Sequence, residues 1–276
     1  MTATRYEFFL QKELGHLNFH GISLFVEDGK IYLYAVNHPP FNEHPPADTV
    51  EKFLWDVDKG VLNHEKTFSD PEFVGLNDLV VVKMDQFYIS NMQTFRSKVL
   101  RELEIYLFFV PAQNVLYYDG KKATVVLPGM FGANGVDVSP DQKFLYVSEV
   151  TKKRISSYRI ENPTTLVLED TKYLGSSPDN INVDHGTGDL WIGAHPSILQ
   201  LSKRLSNPTE RYPSSSQVIR VTAKDGKFLE TYQVFADNGH QISSSSSAAF
   251  HKGSNAFLIG TVDDKAMICK CLTCPK

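Results

Sequence analysis

The stretch FGANGVDVSPDQKFLYVSE, residues 131–149, carries the pattern on which the fold reading rests. A small polar cluster at Asn134 opens an apolar strand, SPDQK supplies a turn, and a second strand rich in aromatic and β-branched residues follows. The same unit returns in both directions along the chain. HGISLFVEDGKIYLYAVN starts it at His20, GLNDLVVVKMDQFYISN at Asn77, SPDNINVDHGTGDLWIGAHP at Asn180 and SSSSAAFHKGSNAFLIGTV at about Ser246. The steps are one to one-and-a-half times a four-stranded blade of ~40–50 residues. Turn signals such as EDGK, YDGK and KDGK separate the short strands. Five such units predict a β-propeller, in which the start of each innermost strand reaches a central channel. A sandwich with five unrelated polar strand starts is the competing arrangement.

With 276 residues, 42% of them hydrophobic, the chain can bury one large core, and a single propeller domain over 1–276 is expected. A net charge of −4 without a basic block argues against nucleic acid as a partner. No apolar run is long enough to span a bilayer, and MTATRYEFFLQKELG does not read as a signal peptide. Residues 94–110, TFRSKVLRELEIYLFFV, break the strand pattern with apolar positions at helical spacing. They predict an amphipathic helix, either packed on the propeller rim or serving as a lid or lipid-surface contact. Cys269, Cys271 and Cys274 supply three thiols where a structural zinc site takes four ligands.

The chemistry gathers at the repeated polar positions. In GLNDLVVV, residues 75–82, two strongly polar side chains precede a buried strand and need partners. Asn77, Asn134, Asp179 and Asn180 are oxygen donors, a set that suits a hard cation, and calcium better than magnesium. Asn77 and Asp78 alternate along an extended strand, so they are expected to serve two separate ions. His20 and His38 read either as structural imidazoles or as a base and its tuner, and His195 is a weaker candidate of the same kind. No G-x-S-x-G, H-E-x-x-H, P-loop or GxGxxG motif occurs. The serines at 243–247 read as a tight strand start rather than a nucleophile.

The strings FHGIS, YAVNHP, LNDLVVV, FGANGVDVSPDQKFLYVSE, DNINVDHGTGDLWIGAHP and LIGTVDDKAMIC resemble the serum paraoxonase/arylesterase family, in the right order and from about Phe19 onward. The resemblance implies a six-bladed propeller, of which about five blades are expected here. It implies two calcium ions and hydrolysis of aryl esters, lactones and some organophosphates. By motif, His20 and His38 correspond to the family's proposed catalytic pair. Asn77, Asn134, Asp179 and Asn180 correspond to ligands of the catalytic calcium. Asp78 and the carbonyl of Ile22 correspond to ligands of the structural one. His195 matches a histidine near the site, and Cys269 the C-terminal partner of a ring-closing disulfide. The insert after Asn91 matches a helix linked to membrane or lipoprotein association, which implies an extracellular or membrane-associated protein.

Departures from the family pattern set the rival expectations. An N-terminal segment is expected to be missing, with its closing strand, the partner of Cys269 and an adjacent Glu-Asp pair that gives each calcium a carboxylate. The catalytic set then holds three amides and one carboxylate. Met92-Gln93 stands where the family has Asp-His, and Asp263-Asp264 are candidate substitute ligands. The main expectation is a calcium-dependent aryl-ester and lactone hydrolase. The alternatives are an impaired propeller acting as a calcium-binding or interaction protein, and a gluconolactonase-like hydrolase of sugar lactones.

Overall fold

The computed structural model describes residues 9–10, 17–39, 48–93 and 111–270. Among them, five sheets form the blades of an all-β propeller. The first holds β1 (Phe9–Leu10), β2 (Phe19–Glu27), β3 (Lys30–Asn37), β4 (Thr49–Asp56) and β5 (Val61–Phe68), ordered β1-β5-β4-β3-β2. The second holds β6 (Leu76–Lys83), β7 (Gln86–Asn91), β8 (Gln113–Tyr118) and β9 (Ala123–Met130). The third holds β10 (Ala133–Val138), β11 (Phe144–Glu149), β12 (Arg154–Asn162) and β13 (Thr165–Tyr173). The fourth holds β14 (Ser177–Val183), β15 (Leu190–His195), β16 (Ser216–Lys224) and β17 (Lys227–Asp237). The fifth holds β18 (Ser245–His251), β19 (Ala256–Thr261) and β20 (Met267–Lys270).

The turns follow from the Asp-Gly pairs. Asp28-Gly29 (φ 51° and 72°) and Asp225-Gly226 (φ 49° and 75°) sit in the left-handed conformation that a two-residue hairpin turn demands. Apolar layers fill the spaces between neighbouring blades. Tyr34, Phe68, Phe87 and Tyr118 lie between the first and second, and Tyr88, Val115, Val136 and Leu145 between the second and third. Tyr146, Ile155, Ile192 and Ile219 fill the third gap. In the fourth, Trp191 stacks on Phe250 with ring centroids 4.9 Å apart. Each blade therefore buries apolar surface on its neighbour, at roughly 25 cal/mol per Å².

The innermost strands β2, β6, β10, β14 and β18 are neighbours in that order. Among the described residues, β18 and β2 have no comparable contact, and β2 leaves Ile22, Leu24 and Val26 exposed along one face. Five blades are described, so the sixth of the expected ring is not among them. The helix expected at 94–110 lies outside the described residues. Instead a helix the periodicity did not announce, α1 (Ile198–Leu205), follows β15, with Ser197 Oγ accepting the Gln200 N–H at 3.3 Å as its cap. No helix among the described residues is long and apolar enough to cross a membrane.

Candidate functional site

Every innermost strand loses register with its partner at the polar residues of the repeat. The breaks fall between Phe19 and Ile22, Leu76 and Leu79, Ala133 and Val136, Pro178 and Ile181, and Ser245 and Ser247. They enclose His20-Gly21, Asn77-Asp78, Asn134-Gly135, Asp179-Asn180 and Ser246. A bulge bends its strand and re-aims the side chains it carries. The regular alternation expected at Asn77 and Asp78 is therefore interrupted there.

The bulged segments touch one another. A Cβ placed on Gly21 would stand 2.4 Å from the Asn77 carbonyl oxygen and 2.8 Å from Asp78 Oδ1. One on Gly135 would stand 2.5 Å from Ile181 N and 2.6 Å from the Asp179 carbonyl oxygen. Only glycine allows backbones to approach this closely. Hydrogen bonds tie the segments across blades. Ser90 Oγ donates to the Asn134 carbonyl at 2.6 Å, and Ser148 Oγ to the Asp179 carbonyl at 2.7 Å. Asp78 Oδ2 accepts the Val136 N–H at 3.1 Å, and Asp137 Oδ2 the Val183 N–H at 2.7 Å.

Two acceptors in this cluster are left over. Among the described residues Asn77 Oδ1 and Asn134 Oδ1 are buried without a hydrogen-bond partner, although Asn77 Nδ2 reaches Met92 Sδ at 3.2 Å. Orphaned buried oxygens are costly unless a donor or a cation faces them. Asp179 Oδ2 lies 2.8 Å from His195 Nε2, which holds that carboxylate in place, while His195 Nδ1 is also buried and unpartnered. Burial pushes Asp78 up to about 7, against the opposing effects of the Val136 N–H and the Asn180 side chain, which hydrogen-bonds it. A nearby cation would reverse that shift. Oxygen donors only, two of them orphaned and one a carboxylate, make a set that fits calcium. It is an amide-rich set: among the described residues no three His, Cys, Asp or Glu side chains form a metal cluster.

His20 and His38 meet, Nδ1 to Nε2 at 3.0 Å. His20 is open to solvent, yet enough protein surrounds the ring for desolvation to pull its pKa below the ordinary imidazole value. His38 adds to that pull, and Asp179 and Asp48 oppose it. Asp48 was not legible as a site residue: it ends HPPAD, a proline-rich connection with no motif. Its Oδ1 lies 2.9 Å from His38 Nδ1 and its Oδ2 accepts the Leu76 N–H at 2.7 Å.

Other candidates are engaged elsewhere. Asp263 pairs with the buried Arg204 of α1 at 2.7 Å, and Asp264 Oδ2 accepts the Ser243 N–H at 3.1 Å. Neither carboxylate is therefore a free substitute ligand. Ser243 and Ser245 are buried structural serines, the latter donating to the Ala194 carbonyl at 3.1 Å, in keeping with a tight strand start. Among the described residues Cys269 is a free thiol on β20, and Cys271 and Cys274 lie outside them.

A family model described as Arylesterase matches residues 3–271. The serum paraoxonase/arylesterase 2 of Gallus gallus is 33% identical over 94% of this chain and 70% of its own length. The serum paraoxonase/lactonase 3 of Rattus norvegicus is 36% identical over 92% of this chain and 69% of its own length. Among solved structures, the periplasmic gluconolactonase of Pseudomonas aeruginosa superposes with a TM-score of 0.52 at 13% identity, covering 94% of this chain and 67% of that one. At that identity the likeness concerns the fold alone.

Proposed function

Because the chain belongs to the arylesterase family, we propose that it hydrolyses aryl esters and lactones at the bulged inner ends of its blades. One observation carries the site: unpartnered amide oxygens of Asn77 and Asn134 share the bulged ring with Asp179 and a directly bonded His20–His38 pair. We assign Asn77, Asn134, Asp179 and Asn180 to one calcium ion and Asp78 with the Ile22 carbonyl to a second, structural one. When bound, the first ion supplies electrophilic polarisation of the ester carbonyl.

The chain's own groups do the rest. His20, held below the ordinary imidazole value, is largely neutral at pH 7 and takes a proton from water as that water attacks the carbonyl carbon. His38 accepts or shares charge across the 3.0 Å contact, and His195 orients Asp179. We read residues 1–276 as one propeller domain, its five described blades part of a six-bladed ring; the open apolar face of Ile22, Leu24 and Val26 supports that reading. The relatives' names place them in serum, and we propose an extracellular setting for this chain too, with lipid contact through residues 94–110.

A second reading, an impaired calcium-binding propeller, has one observation in its favour: the four-residue set contains a single carboxylate, Asp179. The experiment is turnover of phenyl acetate, a simple δ-lactone and gluconolactone by the purified chain with calcium in excess. Hydrolysis of the first two is expected. Preference for gluconolactone moves the assignment to a sugar-lactone hydrolase, and background rates on all three leave the binding protein.

A further inference from the structure

We infer that Asp48 fixes the tautomers of both histidines and so decides which nitrogen of His20 is free to take a proton. The residue stands at the end of the connection from β3, one position before β4, and its side chain is 5% exposed. Both of its oxygens are used: Oδ1 at 2.9 Å from His38 Nδ1, Oδ2 at 2.7 Å from the Leu76 N–H. An ionised carboxylate offers only lone pairs, so the proton of neutral His38 sits on Nδ1. His38 Nε2 is then a lone pair, and it faces His20 Nδ1 at 3.0 Å. Two lone pairs do not meet at that distance, so His20 also carries its proton on Nδ1. His20 Nε2 is left bare, in the state a general base requires.

Asp48 touches neither water nor ester in this scheme and is a positioning residue. Through Leu76 it also anchors the start of β6, the strand that presents Asn77 and Asp78. A purely structural role and a tautomer-setting role therefore coexist in one side chain, and Asp48→Asn separates them. The amide oxygen can keep the Leu76 N–H while the NH₂ turns to His38. His38 Nδ1 must then accept, its Nε2 must donate, His20 Nδ1 must accept, and the His20 proton moves to Nε2. The base is quenched without a change of shape.

The inference rests on the reading of His20 as the base, and the test keeps the two apart. Protein carrying ¹⁵N-labelled histidine is examined by NMR at a pH where both imidazoles are neutral. The wild type should show Nδ1–H tautomers at His20 and His38, and Asp48→Asn should show Nε2–H at both. Activity of Asp48→Asn should fall in kcat by roughly 10²–10⁴-fold with KM little changed and thermal stability retained. A wild-type Nε2–H tautomer at either histidine overturns the inference, whether or not the variant folds. So does Asp48→Asn with wild-type tautomers, or with switched tautomers and undiminished kcat while His20→Gln is inactive. Full activity in His20→Gln instead removes the base reading, and the NMR result then judges the tautomer assignment alone.

Discussion

Gly135→Ala puts the closeness of the bulged segments to a direct test. The new methyl carbon would sit 2.5 Å from Ile181 N, 2.6 Å from the Asp179 carbonyl oxygen and 2.7 Å from Asn180 Cα. All three are backbone atoms of β14, so no side chain can swing aside, and β10 and β14 must part by about an ångström to restore van der Waals contact at ~3.5 Å. Overpacking of this kind costs about 1–3 kcal/mol. The separation also stretches two buried bonds that span the same seam, Ser148 Oγ to the Asp179 carbonyl and the Val183 N–H to Asp137, both 2.7 Å. Losing one of them adds about 1–3 kcal/mol. A total of about 2–6 kcal/mol corresponds to a fall in Tm of about 4–24 °C for a chain of this size. Because Asp179 and Asn180 move with β14, kcat measured well below the variant's Tm should drop by about 10²-fold. Gly186→Ala is the control: its Cβ would meet only Asp184 Oδ1, a flexible side-chain atom, at 3.3 Å. Calorimetry and initial-rate hydrolysis supply both readouts. A Gly135→Ala protein as stable and active as the Gly186→Ala one would refute the seam as described.

Four further outcomes are expected. Asn134→Asp adds a carboxylate to an amide-rich set and should tighten calcium binding in isothermal titration, since affinity follows ligand charge. Ser90→Ala leaves the Asn134 carbonyl and the Asp78 N–H without the hydroxyl they share, at 2.6 and 3.1 Å, and should cost about 2–4 kcal/mol in urea unfolding. Burial raises Asp137 to about 7. The folded chain therefore holds that proton more tightly than the unfolded one, so its contribution to stability is present below about pH 4 and is lost as pH rises to about 7, at up to ~1.4 kcal/mol per pH unit. Asp137→Asn should flatten that part of the profile in chelator-treated protein. His20→Gln should lower kcat by about 10²–10⁴-fold with little change in KM, and a loss confined to KM would count against its role as base.

The inner strands and their turns were legible because both rest on local chemistry. In residues 131–149 the polar opening, the Ser-Pro-Asp turn and the aromatic-bearing strand follow one another as an inner hairpin requires. The repeat also brought His20, Asn77, Asn134, Asn180 and Ser246 to equivalent strand positions, where the five register breaks lie. The breaks themselves were not legible, since a bulge exists only relative to the strand beside it. Outer strands such as β13, which has no buried residue, show too weak an alternation to stand out. Asp48 was missed for a different reason: its partners His38 and Leu76 come from separate elements, and a carboxylate after two prolines looks like any turn. The pairing of Asp263 was hidden because its partner, Arg204, sits on the unannounced helix α1. That helix had a usable signal in Ser197, a cap directly before ILQLSKRL.

In the proposed mechanism the oxygens gathered at the bulges hold calcium and hydrolysis depends on it. Chelator-stripped protein, titrated with calcium while kcat for phenyl acetate and Tm are followed together, tests this most directly. Hydrolysis should be absent in the stripped protein and should return as calcium is added, because an ion at the proposed site would satisfy the orphaned Asn77 and Asn134 oxygens and polarise the ester carbonyl, while Tm rises as either proposed ion binds. Full turnover in excess chelator would contradict the account.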